Sequence, residues 1–258
     1  MSTEDPSAKT SSEEGEGTPR IPNLTGFDHK AIDQHRETAN AHMDSNGHLE
    51  TPDFSNRFFP EARIRWLTPS QLKASAGEDP FAELRCDTET QMYTPLCKAF
   101  NKVLANTGHV IKDTGSHPES GVDDLKPDIS MYKRGDRNGE SVYTLKPKEL
   151  GIVRDKERKE RAQFMGRVAW GWMIMLIEVK KGKESEPFNF DEVDELTLRE
   201  GEGARSRAQM IECIAQIQAR QHRQCVFSAL IVGEDARLMR WDARRHRIET
   251  IQLQEISQ

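Results

Sequence analysis

Two short groups of residues in this sequence could carry chemistry together, Pro127-Asp128 and Glu178-Val179-Lys180. Side chains alternate across a β-strand, so on a strand Glu178 and Lys180 share one face while Val179 points to the opposite core. If Asp128 reaches the same spot from a neighbouring strand, two carboxylates and an ammonium converge at the edge of a sheet. Hard carboxylate oxygens suit Mg2+, which keeps several waters and accepts phosphate oxygens in the rest of its shell. A cation held there neutralises developing charge and acidifies an attacking water. Lys180 would orient that water or stabilise the phosphorus centre as a point charge. The chemistry expected of Asp128, Glu178 and Lys180 is therefore phosphodiester hydrolysis. A P-D dipeptide and an E-x-K triplet are both common, and their placement in the surrounding elements is what gives them meaning.

Those elements are legible from periodicity. Residues 172–179 form a continuous apolar run with no polar alternation until its end, as expected of a central strand covered on both faces. The E-x-K triplet closes that run. Apolar positions Met92, Leu96, Phe100, Val103 and Leu104 follow helical spacing over residues 89–104, with Pro95 tolerable at a kink or near the start. Strands are predicted at 108–112 and 127–132, separated by a turn-rich stretch holding Gly115, Pro118 and Gly121. Asp128 opens the second of them. Residues 133–167 read as a charged insertion, in which 154–161 alternates bases and acids like a solvated helix face. Gly201 and Gly203 lead into a second helix, 205–220, on which Arg205, Gln209, Glu212, Gln216 and Arg220 make one polar stripe on an otherwise apolar cylinder. Strands are predicted at 225–232, 237–241 and 247–253, joined by polar turns.

Composition bounds the rest. The formal net charge of −6 resides wholly in the first 60 residues, where 11 acids face 5 bases, so the remainder is neutral. For an anionic partner, what matters is where the bases of that remainder cluster. Residues 1–56 are rich in Ser, Thr, Glu, Gly and Asn and cannot bury enough surface to offset the entropy of ordering, so a disordered acidic tail is expected. His29, His35, His42 and His48 recur within it without an apolar seam. Residues 57–88 are expected to form a partly ordered lead-in to an α/β domain at 89–258. No secretory signal is present, and the longest apolar run is too short to cross a bilayer. Cys86, Cys97, Cys213 and Cys225 are widely spaced with no C-x-x-C pair, which argues against structural zinc and fits a reducing compartment. Cytoplasm or nucleus is the expected location, with no membrane partner.

Successive landmarks add a resemblance. Met92-Tyr93-Thr94-Pro95-Leu96 with Phe100-Asn101-Lys102, Lys126-Pro127-Asp128-Ile129, Ile177-Glu178-Val179-Lys180, Gln221-His222-Arg223 and the segment from Ala236 to Asp242 (ARLMRWD) look like those of the fungal-type protein kinase family, over residues 89–250. The region ahead of that family's kinase domain itself resembles the PD-(D/E)XK nuclease fold. The resemblance implies an α/β, three-layer core with a mixed central sheet. It implies a site at Asp128, Glu178 and Lys180, with Asp128, Glu178 and Glu89 as metal ligands and Mg2+ as the cofactor. Gln209 stands where nuclease relatives place a glutamine followed four residues on by tyrosine, but here that later position is Cys213. Gln209 belongs equally to the polar stripe.

No kinase activity is expected of this chain. It holds no G-x-G-x-x-G, His222-Arg223-Gln224 lacks the aspartate of an H-R-D loop, and no D-F-G occurs. Arg240, Arg244 and Arg245, with Arg237 and Arg247, crowd the last hairpin and are the candidate nucleic-acid contacts. They read equally as a solvated hairpin tip. The expectation is a nuclease-fold accessory module with a Mg2+-dependent phosphodiester-cleaving site. Its alternatives are a catalytically silent module binding protein or nucleic acid, and a fragment without independent activity.

Overall fold

The computed structural model describes residues 84, 87–120, 125–150, 156–189, 197–233, 235–242 and 247–253. The expected tail, 1–56, and the lead-in apart from residues 84, 87 and 88 lie outside the described residues.

Helix α1 (Glu89–Val103) starts where Gln91 turns back, its side-chain oxygen accepting from the backbone N–H groups of Asp87 and Thr88 at 3.1 and 3.0 Å. That return fixes the entry of the chain and places Glu89 in the first helical turn. Pro95 lies inside the helix, which continues to Val103 without the one N–H that proline lacks. Met92, Tyr93, Leu96 and Cys97, at helical spacing, are buried.

Strands β1 (His109–Asp113) and β2 (Ile129–Lys133) follow. Segment 133–167, expected as a charged insertion, holds α2 (Arg137–Tyr143), α3 (Pro147–Leu150) and α4 (Lys156–Phe164). Its end is docked on β1. The Gly166 N–H donates to the Asp113 carbonyl at 2.8 Å, and Arg161 Nε donates to the buried Asp113 carboxylate at 3.2 Å.

Then come β3 (Met173–Lys180), the short pair β4 (Phe188–Asn189) and β5 (Thr197–Leu198), α5 (Glu202–Gln221), β6 (Cys225–Val232), β7 (Asp235–Asp242) and β8 (Arg247–Leu253). Six strands form one sheet in the order β1-β2-β3-β6-β7-β8. β3 and β6 are parallel and every other neighbouring pair is antiparallel, so the sheet is mixed. A parallel pair needs a crossover, and α5 supplies it.

Helices cover both faces. Ile111, Ile129, Ile177 and Val179 pack with the buried side of α1, whereas Leu176, Leu230, Met239 and Trp241 pack with Met210, Ile214 and Ile217 of α5. Two glycines permit the start of α5. Gly201 has φ +62°, and a Cβ on Gly203 would stand 2.3 Å from the Glu186 carbonyl oxygen, so the helix can approach that backbone only with glycine there. The far end of α5 is clamped to β3. Gln221 Nε2 donates to the carbonyls of Trp170 and Met173 at 2.5 and 2.8 Å, and Arg223 Nη1 donates to that of Ile174 at 3.0 Å. His222 between them turns the chain at φ 51°.

Asn101 fastens α1 to the edge strand. Its Oδ1 accepts from the Ile111 N–H at 3.0 Å, and its Nδ2 donates to the carbonyls of Ile111 and Cys97 at 2.9 and 2.8 Å. One side chain thus supplies both hydrogen bonds that a further strand would give to Ile111. Asn101→Ala should lower unfolding free energy by about 1–3 kcal/mol, because both Ile111 backbone groups lose their partner. Asn101→Asp should also destabilise, since a carboxylate cannot donate to the two carbonyls. Urea titrations of the three proteins would measure this, and an unchanged midpoint in Asn101→Ala would remove the clamp from the account.

Candidate functional site

Asp128 stands immediately before β2, and its backbone is fixed before its side chain is considered. Its carbonyl accepts from the N–H groups of Thr114 and Gly115, both at 3.0 Å, and Thr114 Oγ1 donates to the neighbouring Pro127 carbonyl at 2.9 Å. The turn after β1 therefore holds the start of β2. The carboxylate is gripped from two elements. Oδ2 accepts from the Val179 N–H of β3 at 2.9 Å, and Oδ1 accepts from the Tyr93 hydroxyl of α1 at 2.5 Å.

Glu178 and Lys180 close β3 on the face that alternation assigns to Leu176. Glu178 is wholly buried, and its Oε1 accepts from Lys180 Nζ at 2.6 Å. The other oxygen, Oε2, is buried and has no hydrogen-bond partner. Lys180 Nζ also lies 4.0 Å from Glu89 Oε1, which in turn accepts from the Tyr93 hydroxyl at 3.1 Å. The Glu89 side chain is 34% exposed, so it marks the side from which solvent reaches the group. Asp128, Glu178, Lys180 and Glu89, drawn from β2, β3 and α1, are thus brought together.

Their electrostatics follow from burial and mutual proximity. Burial, reinforced by the nearby Asp128 charge, pushes Glu178 up to about 8, although Lys180 opposes the shift. Burial also raises Asp128, to about 6, against the pull of Lys180, the Tyr93 hydroxyl and the Val179 N–H. Burial works against the Lys180 ammonium, but Glu178, Asp128 and Glu89 outweigh it and raise its pKa. The Tyr93 phenol is raised by burial and by the two carboxylates beside it, so it stays protonated and donates.

Helix α5 backs this group with Cys213, buried in the same core as Leu176. Burial raises its thiol pKa and the Glu178 charge raises it further. Gln209 is half-buried one turn earlier, and among the described residues no hydrogen bond joins it to Asp128, Glu178 or Lys180. The stripe therefore describes Gln209 better than a role in the group does. Arg240 has its guanidinium between two carboxylates, with Nη1 donating to buried Glu249 at 2.9 Å and Nη2 to Asp242 at 3.0 Å. It serves the sheet as a counter-ion. Arg244 and Arg245 lie outside the described residues.

Sequence reasoning named Tyr93 only within a landmark and Gly115 only as a turn residue, gave neither a role in the group, and did not name Thr114. Tyr93 had a usable signal, since it falls four residues after Glu89 and so on the same helix face. Thr114 and Gly115 act through backbone groups, which no side-chain pattern reports.

Among the described residues no set of three or more His, Cys, Asp or Glu is gathered closely enough to enclose a metal ion. A Mg2+ site does not require one, because one or two carboxylates suffice when waters and phosphate oxygens complete the shell. The unpartnered Glu178 Oε2 beside Asp128 fits that donor set. Comparison of the chain with protein-family models, curated proteins and solved structures found no match. Among the described residues no helix is long and apolar enough to cross a membrane.

The raised Glu178 pKa has a sign that can be tested. An acid whose folded pKa lies above its unfolded value favours folding fully below the unfolded pKa, and that contribution is lost as pH rises through the folded one. For Glu178 the window runs from the ordinary 4.5 to about 8. Glu178→Gln removes this titration, so its melting temperature relative to wild type should climb across that window. Thermal melts through the same pH range would show it, and parallel profiles would contradict the burial argument.

Proposed function

We propose that this chain is a nuclease-fold accessory module of the fungal-type protein-kinase-like kind, carrying a Mg2+-dependent phosphodiester-cleaving site. The observation that supports it is the convergence of Asp128, Glu178 and Lys180, with Glu89 beside them, at the ends of two adjacent strands. Helices on both faces of a mixed sheet are the setting that a PD-(D/E)XK arrangement requires. Asp128 and Glu178 would hold the cation, and Glu89 would extend the donor set from the helix side. When bound, Mg2+ supplies charge neutralisation and an acidified water.

The chain's own residues do the rest. The Val179 N–H and Tyr93 hydroxyl fix both oxygens of Asp128, so its orientation is set before any ligand arrives. Lys180 shares the Glu178 face and offers a point charge to water or to a phosphate oxygen. Leu176 and the α5 core behind Glu178 exclude water from that side. The lack of G-x-G-x-x-G, H-R-D and D-F-G strings keeps protein-kinase activity out of the proposal.

A silent binding module is the second reading, and one observation favours it. Lys180 already occupies Glu178 Oε1 at 2.6 Å in a fully buried setting, an arrangement that can serve stability alone. Cleavage assays separate the two. With Mg2+ or Mn2+ the purified protein should nick DNA or RNA. Lys180→Ala should remove cleavage and leave metal binding largely intact, whereas Asp128→Ala should remove both. Loss of activity should reach at least about a hundredfold, the scale of a positioned catalytic group. Activity unchanged in both variants would mark a contaminating nuclease. No cleavage by folded, metal-bound wild type on several substrates would establish the silent module.

A further inference from the structure

The Tyr93 hydroxyl lies 2.5 Å from Asp128 Oδ1 and 3.1 Å from Glu89 Oε1, and the residue is 4% exposed. The ring passes close to Gly115, where an added Cβ would stand 3.0 Å from its Cε2 atom. Gly115 is the same residue whose N–H holds the Asp128 carbonyl. One phenol therefore touches the carboxylates of Glu89 and Asp128 and passes close to the turn that holds the Asp128 carbonyl.

We propose that Tyr93 is a positioning residue for divalent-cation binding, joining Glu89 of α1 to Asp128 of β2 so that both carboxylates address one ion. This rests on the metal-site reading above. A hydroxyl has a single hydrogen. At 2.5 Å Asp128 takes the shorter bond and Glu89, the more exposed carboxylate, the longer one. Val179 already fixes the other Asp128 oxygen, so the phenol determines the remaining rotational freedom of that carboxylate. Groups that hydrogen-bond to metal ligands commonly govern affinity by about 10–100-fold when removed. A hydroxyl that only filled space would behave otherwise, because Tyr93→Phe keeps the ring packing and frees a lone pair on Asp128.

The test uses Mn2+ alone as the probe, read by calorimetry on the full chain without any nucleic acid. Tyr93→Phe should weaken Mn2+ binding by about 10-fold or more. Glu89→Gln should weaken it too, and the double variant should lose less than the product of the two single effects, because both act through one junction. Should Tyr93→Phe fail to fold, Gly115→Ala provides the second arm. Its Cβ would press on the ring at 3.0 Å and shift it, with its hydroxyl, away from Asp128 while keeping the phenol chemically intact, and it should weaken Mn2+ binding in the same direction. Wild type that does not bind Mn2+ would overturn the metal-site reading and this inference with it. Wild type that binds, with Tyr93→Phe and Gly115→Ala binding equally well, would overturn the role of Tyr93 alone.

Discussion

A carboxylate taken wholly out of water needs a cation or a proton, and the position of Glu178 at the end of an apolar strand makes that need unavoidable. Its neighbours on β3, Ile177 and Val179, are buried in the core under α1, while Glu178 itself faces the α5 side. Lys180 meets part of the need at 2.6 Å, and the raised Glu178 pKa meets the remainder by retaining a proton at moderate pH. Neither solution is free. Burying an ion pair forfeits hydration of both groups, and removing one partner leaves the other stranded. Around this pair the fold supplies further fixed points, the Val179 N–H on Asp128 and the Tyr93 hydroxyl between Asp128 and Glu89.

The same economy recurs elsewhere in the sheet. Arg207 on α5 is 4% exposed and donates to the carbonyls of Pro187 and Arg199, at 2.8 and 3.0 Å, with Phe188 beneath its guanidinium. Arg240 balances buried Glu249, and Arg161 balances buried Asp113. Arg207 and Arg161 fasten helices to neighbouring segments, and Arg240 ties β7 to β8. Arg suits the task because its planar fork satisfies carbonyls and carboxylates at a modest desolvation cost.

That habit explains what could and could not be read in the sequence. Strands β6 and β8 match their expected limits, and β3 matches within a residue, because apolar runs and alternation register burial directly. Strand parity also put Glu178 and Lys180 on one face. Periodicity is blind to charged residues placed inward, so Arg207 fell off the expected polar stripe of α5 without notice, and Arg240 read as a surface base. The alternating charges of segment 133–167 suggested a solvated insertion. They did not reveal that its last residues complete the edge of β1 through Asp113, because a half-buried salt bridge between distant positions leaves no local signature. The landmark Gln221-His222-Arg223 was visible as a string, and its work as a carbonyl clamp on β3 depends on a contact across some fifty residues of chain.

Charge counting then bears on how the proposed site could meet a phosphodiester. Glu89, Asp128 and Glu178 outnumber Lys180, so with all groups ionised the cluster is negative and repels a phosphate group. Burial raises both Asp128 and Glu178, which softens the repulsion by favouring their protonated forms, but a protonated carboxyl is also a poor cation ligand. The two requirements pull apart. A divalent ion reconciles them, because it holds the carboxylates ionised and turns the local charge toward neutrality at the same time. Glu89 is the exposed member and Glu178 the buried one, and Lys180 Nζ lies 4.0 Å from the first and 2.6 Å from the second. On the proposed reading the ion would be offered the unpartnered Glu178 Oε2, so the bond from Lys180 to Oε1 need not break.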